Sequence, residues 1–542
     1  MQSPPWYDHF GSIGKLLLTA HESETLNRLG YEALTAGDAE RAVAIFAQAI
    51  LVDPRDPHTH VNIAAAYLAL ERLGEARSHA QRAAMLAPSM PEAHHNLGNA
   101  LFAAGDADAA LASFATARAL DPDNEAHWTS FLFVQTFAER SSESHIGRSA
   151  IFAENKAWGE RLERRLGARA RPAIRARDAE RTLRLAYVLP EFDAHVTARF
   201  LAPILAAHDR TRFQISVYGY RNAGGPPPPA LAPHGVRWVD TRGLSDSSIA
   251  QLMRSDGIDV LIHPCTFKAR YRTILAERAA PLQMAGINFL STTGLAATDY
   301  LLSDAILTPS TDRAFFTERL AILPVFNCYG APAYAPEVNS LPARANGFIT
   351  FGSLNNPAKV GAASIDLWSA ALADIPTSRL LLKHRAFDDA AVREDFSRRF
   401  LGHGIAPQRI VFAGFTPDPH AYLTAYHDID IALDTTPFNG GTTSYEAIWM
   451  GVPVLTLAGE RLMGRQTASL MTGIGHPEFV TESKQAFVAQ AFKLTRQLDV
   501  LTEDRAALRA RAAATIFNAA GYTRTLEEAV RAAWTELCAS EP

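Results

Sequence analysis

The chain has 542 residues, 48% of them hydrophobic and 20% charged, and a formal net charge of −5. At about 100–200 residues per domain, that is enough for roughly three or four domains with ordinary cores. The mildly acidic balance argues against nucleic-acid or membrane-surface partners, which call for a basic balance or patch.

The N-terminus, Met1-Gln-Ser-Pro-Pro-Trp-Tyr-Asp8, lacks the basic-then-apolar pattern of a secretory leader. A self-similar region follows. Pro57 and Pro91 open segments 34 residues apart. The segment from Pro91 carries Leu97-Gly98, Leu101, Ala110, Phe114, Ala117 and Pro122; the one from Pro57 carries Ile63-Ala64, Tyr67, Ala76, Ala80, Ala83 and Pro88. One register earlier, residues 23–56 supply Leu29-Gly30, Ala33, Ala42, Phe46, Ala49 and Pro54. This is the period and slot pattern of the tetratricopeptide helix-turn-helix. Trp128 opens a fourth, decaying register, read as a capping helix pair. Such repeats stack into an all-α superhelix with a concave inner wall. Asn62 and Asn96 share one slot of successive first helices, where an amide could grip an extended peptide backbone; otherwise both are solvated polar positions. Residues 1–140 are therefore expected to be a repeat array that binds a protein partner.

Residues 141–181 read as a helical connection, and the basic run from Arg161 to Arg184, interspersed with acids, as solvated. Strand candidates then alternate with helical stretches: Leu183–Leu189, Phe213–Tyr220, Val236–Val239 and Val260–Ile262, then Ile349–Leu354, Arg379–Lys383, Ile410–Ala413, Ile429–Leu433 and Val452–Leu457. Alternation of this kind implies parallel sheets. Two doubly wound, Rossmann-like units are expected, 182–340 and 341–542, the second including terminal helices. A ligand belongs in the cleft between their strand C-terminal ends. No run of about 18 apolar residues interrupts this, so no membrane span is expected. The odd, widely spaced cysteines Cys265, Cys328 and Cys538 point to neither a disulfide framework nor a zinc site. A cytoplasmic location fits best.

The densest chemistry is Asp434-Thr-Thr-Pro-Phe-Asn-Gly-Gly-Thr-Thr-Ser-Tyr-Glu446, after a strand and leading into a helix. Gly440 and Gly441 leave backbone N–H groups accessible. Thr442 and Thr443 add hydroxyls at the positive end of a helix dipole, which makes an anion site. A departing diphosphate would be stabilised there. Glu446, one turn on, could accept both hydroxyls of a ribose. Lys359 follows the loop Leu354-Asn-Asn-Pro-Ala358, where a lysine reaches a diphosphate as a point charge or is simply a surface residue. Lys383 is a weaker candidate. His420, in Thr416-Pro-Asp-Pro-His420, could contact a base or be solvated. His195, after the first strand, suits proton abstraction from an acceptor hydroxyl, though a structural histidine is as consistent with its position. Asp428-Ile-Asp430 has metal-pair spacing but precedes a buried strand, so no metal is expected.

These features resemble the O-linked N-acetylglucosamine transferase family, which includes the plant SPINDLY branch. Asn439-Gly-Gly-Thr-Thr-Ser-Tyr-Glu-Ala-Ile-Trp-Met-Gly-Val-Pro-Val-Leu-Thr-Leu457 carries most of the likeness. Gly459, Gly464-Arg465, Phe192-Asp-Ala-His195, Arg278-Ala-Ala-Pro-Leu-Gln283, Thr293-Gly294 and Asp299-Tyr300 add to it. The resemblance, which looks like the bacterial branch, implies a GT-B fold and inverting, metal-independent transfer of N-acetylglucosamine from UDP-N-acetylglucosamine to serine or threonine of protein acceptors, with no cofactor beyond the donor. It implies that Lys359, Thr442 and Thr443, with Gly440 and Gly441, hold the diphosphate, and that Asn356 holds the donor's sugar or phosphate. Glu446 would hold the ribose, Thr416 and His420 the base; Arg465 would support the phosphate loop. His195 is the implied base, with Lys359 also catalytic. Thr293 and Gly294 fall on the acceptor side. Val196, Gly441, Glu446 and Asn288-Phe-Leu-Ser291 depart from the pattern of better-known members. They leave open another donor, GDP-fucose or a CMP-nonulosonate, on a dedicated bacterial protein such as flagellin. A reading of another class is a repeat scaffold with an inactive transferase half.

Overall fold

A computed structural model describes residues 7–540 apart from 142–143, 168, 192–196, 222–230, 232–233, 266–268 and 290. Seven antiparallel helices come first: α1 (Tyr7–Thr35), α2 (Ala39–Val52), α3 (Pro57–Ala69), α4 (Leu73–Leu86), α5 (Pro91–Ala103), α6 (Ala107–Leu120) and α7 (Glu125–Gln135). The side chains of Asp38, Asp56 and Asp106 cap α2, α3 and α6, and Pro57 and Pro91 open their helices, where a missing N–H costs nothing. Within a repeat, packing follows residue size. A Cβ on Gly30 would come 2.5 Å from the Phe46 ring, and one on Gly98 would come 2.8 Å from Phe114. The middle repeat uses Ala64 and Ala80 instead, both fully buried. A further device recurs every 34 residues: ring nitrogens of His60, His94 and Trp128 bond to the carbonyls of Pro54, Pro88 and Pro122 at 3.2, 2.8 and 2.9 Å. Each ring thereby ties a first helix to the turn before it.

The array ends in a hairpin of β1 (Arg140–Ser141) and β2 (Ser144–His145), and α8 (Arg148–Leu166) packs on α7. The basic run is not merely solvated. Arg165, Arg169, Arg171 and Arg181 pair with Glu125, Glu277, Asp299 and Asp259 at 2.7, 3.0, 2.7 and 2.5 Å. Asp259 and Asp299 directly precede strands, so the segment is strapped along the entry edge of the sheet.

Among the described residues there are two all-parallel sheets. The first comprises β3 (Leu183–Glu191), β4 (Phe213–Tyr220), β5 (Arg237–Asp240), β6 (Val260–Cys265), β7 (Leu282–Phe289), β8 (Tyr300–Asp304) and β9 (Arg319–Leu323), in the order β5-β4-β3-β6-β7-β8-β9. It is accompanied by α9 (Thr197–Ala207), α10 (Asp246–Ser255) and α11 (Ala269–Ala276), and α12 (Ala343–Asn346) leads to the second sheet. That sheet comprises β10 (Thr350–Ser353), β11 (Arg379–Lys383), β12 (Ile410–Ala413), β13 (Ile431–Leu433), β14 (Val454–Leu457) and β15 (Val480–Thr481), in the order β12-β11-β10-β13-β14-β15. Its helices are α13 (Ala362–Asp374), α14 (Ala390–Gly402), α15 (Pro419–Thr424), α16 (Thr442–Trp449), α17 (Gln466–Gly473), α18 (Lys484–Thr495) and α19 (Leu498–Ala514). This is the repeat superhelix followed by two Rossmann-like halves of a GT-B fold. In the second sheet the strand order reverses between β10 and β13, the switch point at which such sheets bind ligands.

Two features differ from the sequence reading. Strands β7, β8, β9 and β15 are additional. The last helix, α20 (Ala519–Ala539), leaves the second unit and packs on α9, β7 and β9 of the first. Glu527 of α20 accepts from His208 Nδ1 at 2.8 Å, and Tyr300 donates to Glu536 at 2.9 Å. Its amphipathic pattern calls for burial of one face without specifying the sheet that receives it.

Candidate functional site

The two loops at the switch point converge. After β10, the Asn356 side chain accepts from Ala358 N at 3.0 Å and starts a tight turn, Pro357–Lys359, that sends Lys359 inward. Its Nζ donates to the Asn439 carbonyl at 2.8 Å and lies 4.3 Å from the centre of the Phe438 ring. Burial lowers the Lys359 ammonium to about 8, against the opposing pull of Asp434.

After β13, the buried Asp434 folds the second loop. Its carboxylate accepts from Thr435 N at 2.9 Å, Gly440 N at 2.7 Å and the Thr456 hydroxyl at 2.7 Å. The loop thus turns back and delivers Gly441 to the start of α16, which no side chain caps. Gly441, Thr442 and Thr443 at its start line the cavity described below. Gly440 is needed for close approach: a Cβ there would lie 2.3 Å from Ser444 Oγ. The Thr443 hydroxyl donates to Asn355 Oδ1 at 2.7 Å, so its proton is already used. Thr442 retains its hydroxyl for a ligand more readily, and Thr443 offers its N–H.

Glu446 is buried one turn into α16. Its Oε1 accepts from Arg199 at 3.2 Å and from the Tyr329 hydroxyl at 3.4 Å. Burial raises its carboxyl to about 7, although Arg199, Tyr329 and Tyr422 oppose the shift. Arg199 belongs to α9, so the first unit reaches across the cleft here. A cavity of about 420 Å³ is lined by Arg199, Asn355, Asn356, Lys359, Thr416, Gly441, Thr442, Thr443 and Glu446, together with Tyr334, His384 and Tyr422. That is within the usual range of a small-molecule site.

Other expected residues fall elsewhere. His195 lies outside the described residues. His420 sits on the rim, its Nδ1 3.0 Å from the Tyr334 carbonyl, and does not line the cavity; neighbouring Thr416, Pro417 and Pro419 do. Lys383 is spent on the Gly414 carbonyl and the Thr416 hydroxyl, at 2.8 and 2.6 Å. Arg465 does not line this cavity. It binds the carbonyls of Gly459 and Glu460 at 2.8 and 2.7 Å and Asp312 of the first unit at 2.6 Å. The Met463 carbonyl in turn accepts from Asn439 N at 3.0 Å, so support of the phosphate loop is indirect. Asp430 accepts from the backbone of Ala343 and Thr350, both at 2.8 Å, as a structural carboxylate.

Thr293 and Gly294, expected on the acceptor side, are both buried against the fold. Thr293 bonds Glu318 and Thr298, and a Cβ on Gly294 would lie 2.0 Å from the Asn155 carbonyl of α8. Asn62 donates to Asn27 at 2.8 Å and Asn96 to the Val61 carbonyl at 3.2 Å, so both amides cross-link successive first helices while remaining partly exposed.

Sequence reasoning missed Asn355, His384, Tyr422 and Arg199. Asn355 lies two residues after β10 and His384 directly follows β11, and strand ends were the available signal. Burial lowers His384 to about 4, so its ring is neutral. Tyr422 and Arg199 come from helices, with no such mark.

Family comparison agrees with this geometry. Residues 170–331 and 337–526 match the model of glycosyl transferase family 41, and residues 23–56 and 91–124 match tetratricopeptide repeats. A probable UDP-N-acetylglucosamine–peptide N-acetylglucosaminyltransferase SPINDLY of Oryza sativa is 33% identical over 367 residues, 66% of this chain and 40% of that protein. Its Arabidopsis thaliana counterpart is 31% identical over 403 residues, 72% and 43% respectively. The chain thus spans less than half the length of these relatives. The solved structure of a mutant Thermobaculum terrenum O-GlcNAc transferase is 29% identical, with a TM-score of 0.85 over 96% of this chain and 98% of that one. The family match covers most of the chain and includes both switch-point loops: the chain belongs to glycosyl transferase family 41.

Proposed function

We propose that the chain is a protein O-glycosyltransferase that transfers N-acetylglucosamine from UDP-N-acetylglucosamine to serine or threonine of protein acceptors, with inversion and without a metal. The observation that carries this reading is Lys359, half-buried and lining the cavity beside the uncapped start of α16 at the switch point of the second sheet. In the reaction the bond between the sugar carbon and the diphosphate oxygen breaks, and negative charge grows on that oxygen. The Lys359 ammonium, the N–H groups of Thr442 and Thr443 and the Thr442 hydroxyl stabilise that charge. Glu446 receives the ribose hydroxyls, exchanging its present Arg199 and Tyr329 partners for them. The wall from Thr416 to Pro419 receives the base. His195 takes the proton of the acceptor hydroxyl as the oxygen attacks. The repeat array presents the acceptor protein, with Asn62 and Asn96 toward its backbone. Free thiols at Cys328 and Cys538 suit action in a reducing cytoplasm.

The test is equilibrium binding of UDP, GDP and CMP to the full chain. Selective UDP binding is expected. Preference for GDP or CMP would replace the donor with an activated fucose or nonulosonate. Binding of none of the three would remove the transferase reading.

A further inference from the structure

The end of the repeat array does not stop short of the donor pocket; it forms the back wall of the diphosphate loop. Buried Phe137, just beyond α7, stacks on Phe438 with ring centres 4.1 Å apart and planes 13° apart. The Phe438 ring is the one beneath the Lys359 ammonium, and the next carbonyl, that of Asn439, accepts from Lys359. Phe137 also meets Phe102 of α5 edge-on and Phe133 of α7 at a tilt, each with ring centres 4.9 Å apart. Aromatic contact is therefore continuous from the third repeat to the lysine.

The two residues after Phe137 are anchored in the same unit. The Ala138 carbonyl accepts from the buried Arg461 at 2.6 Å. Glu139 accepts from Ala363 N at 2.8 Å, capping α13 in the absence of a cap from its own chain segment. Gly105, in the turn between α5 and α6, adds a contact: a Cβ there would lie 3.0 Å from the Pro357 carbonyl, two residues before Lys359.

We propose that Phe137 is a positioning residue for Lys359, so that the packing of the last repeats sets how the donor's diphosphate is held. This rests on the assignment of the pocket to a nucleotide diphosphate. Stacking fixes the plane of Phe438, and that plane fixes both the seat of the ammonium and the direction of the Asn439 carbonyl. An acceptor protein that shifts the last helices would reach the donor site by this route.

The test is a double-mutant cycle in the full chain, read by UDP binding in calorimetry, with the thermal midpoint followed alongside. Phe137→Ala is expected to weaken UDP binding about tenfold. Phe137→Leu, which keeps most of the volume but not the ring face, is expected to weaken it about threefold to tenfold and keeps the test open if the alanine variant fails to fold. In a Lys359→Ala background, Phe137→Leu should cause little further loss. An equal loss from Phe137→Leu with and without Lys359 would overturn the proposal and leave the pocket assignment standing, as would unchanged UDP affinity in a folded Phe137→Leu chain. Unchanged UDP affinity in Lys359→Ala alone would overturn the pocket assignment and this proposal with it.

Discussion

Two titrating groups line the proposed donor pocket, and the proposed roles give them opposite requirements. Glu446, raised to about 7 by burial, must be ionised to accept ribose hydroxyls, so its contribution appears as pH rises through about 7. Lys359, lowered to about 8 by burial, must be protonated to meet a diphosphate, so its contribution disappears as pH rises through about 8. The free-enzyme parameter kcat/KM for donor hydrolysis should therefore describe a narrow bell with its limbs near those values. Glu446→Gln should remove the acid limb and leave the alkaline one. Arg199→Ala removes the charge that holds the Glu446 carboxyl down, so it should move the acid limb upward. A flat profile across that range would contradict both assignments. At this scale the glycine-threonine run and Lys359 were legible because they sit in unbroken sequence around strand ends. Arg199 and Tyr422 were not, because only folding brings them to Glu446.

The strand-loop-helix elements separate support from chemistry. Asp434 satisfies two backbone N–H groups inside the β13–α16 loop and the Thr456 hydroxyl of β14. Asp434→Ala strands those donors at about 1–3 kcal/mol each. It should lower the thermal midpoint and weaken UDP binding together, because the same loop carries the proposed anion site. Gly294 has φ of +72° and abuts the Asn155 carbonyl. Gly294→Ala should cost roughly 1–3 kcal/mol or more and lower the thermal midpoint without a specific effect on UDP affinity. If Gly294→Ala instead left stability intact and impaired only acceptor use, Thr293-Gly294 would return to the acceptor side. Most strands of both sheets were visible as short apolar runs. Of the four that were missed, β7 is interrupted by Gln283 and Gly286, β8 runs into Ser303-Asp304, β9 is a half-exposed edge and β15 is only Val480–Thr481.

Across the whole molecule, three parts are tied by specific side chains rather than by linkers. The array docks on the second unit through Phe137, Glu139 and the Gly74 N–H to Asp389 contact at 3.1 Å. The helix α20 returns to the first unit, and Arg199 reaches Glu446 across the cleft. The repeat period announced the array, and alternation announced the two sheets, but periodicity records that a face is buried and not what buries it. The route of α20 and the docking of the array were therefore illegible. The array should still select the acceptor more than it performs chemistry. Each lost peptide bond partner costs roughly 0.5–1.5 kcal/mol. Asn62→Ala combined with Asn96→Ala should thus reduce glycosylation of a protein acceptor by about tenfold and leave donor hydrolysis unchanged. A parallel fall in both activities would make the two amides internal cross-links and nothing more.

The central claim is that the pocket around Lys359 is where a sugar is released from a nucleotide diphosphate. Its most direct measurement is UDP release from UDP-N-acetylglucosamine by the full chain in the presence of a chelator, compared with Lys359→Ala. The account predicts turnover that persists without divalent metal and falls by about 100- to 1000-fold in the variant, which keeps its fold. Turnover within about threefold of wild type in Lys359→Ala, or activity lost in chelator and restored by manganese or magnesium, would contradict it.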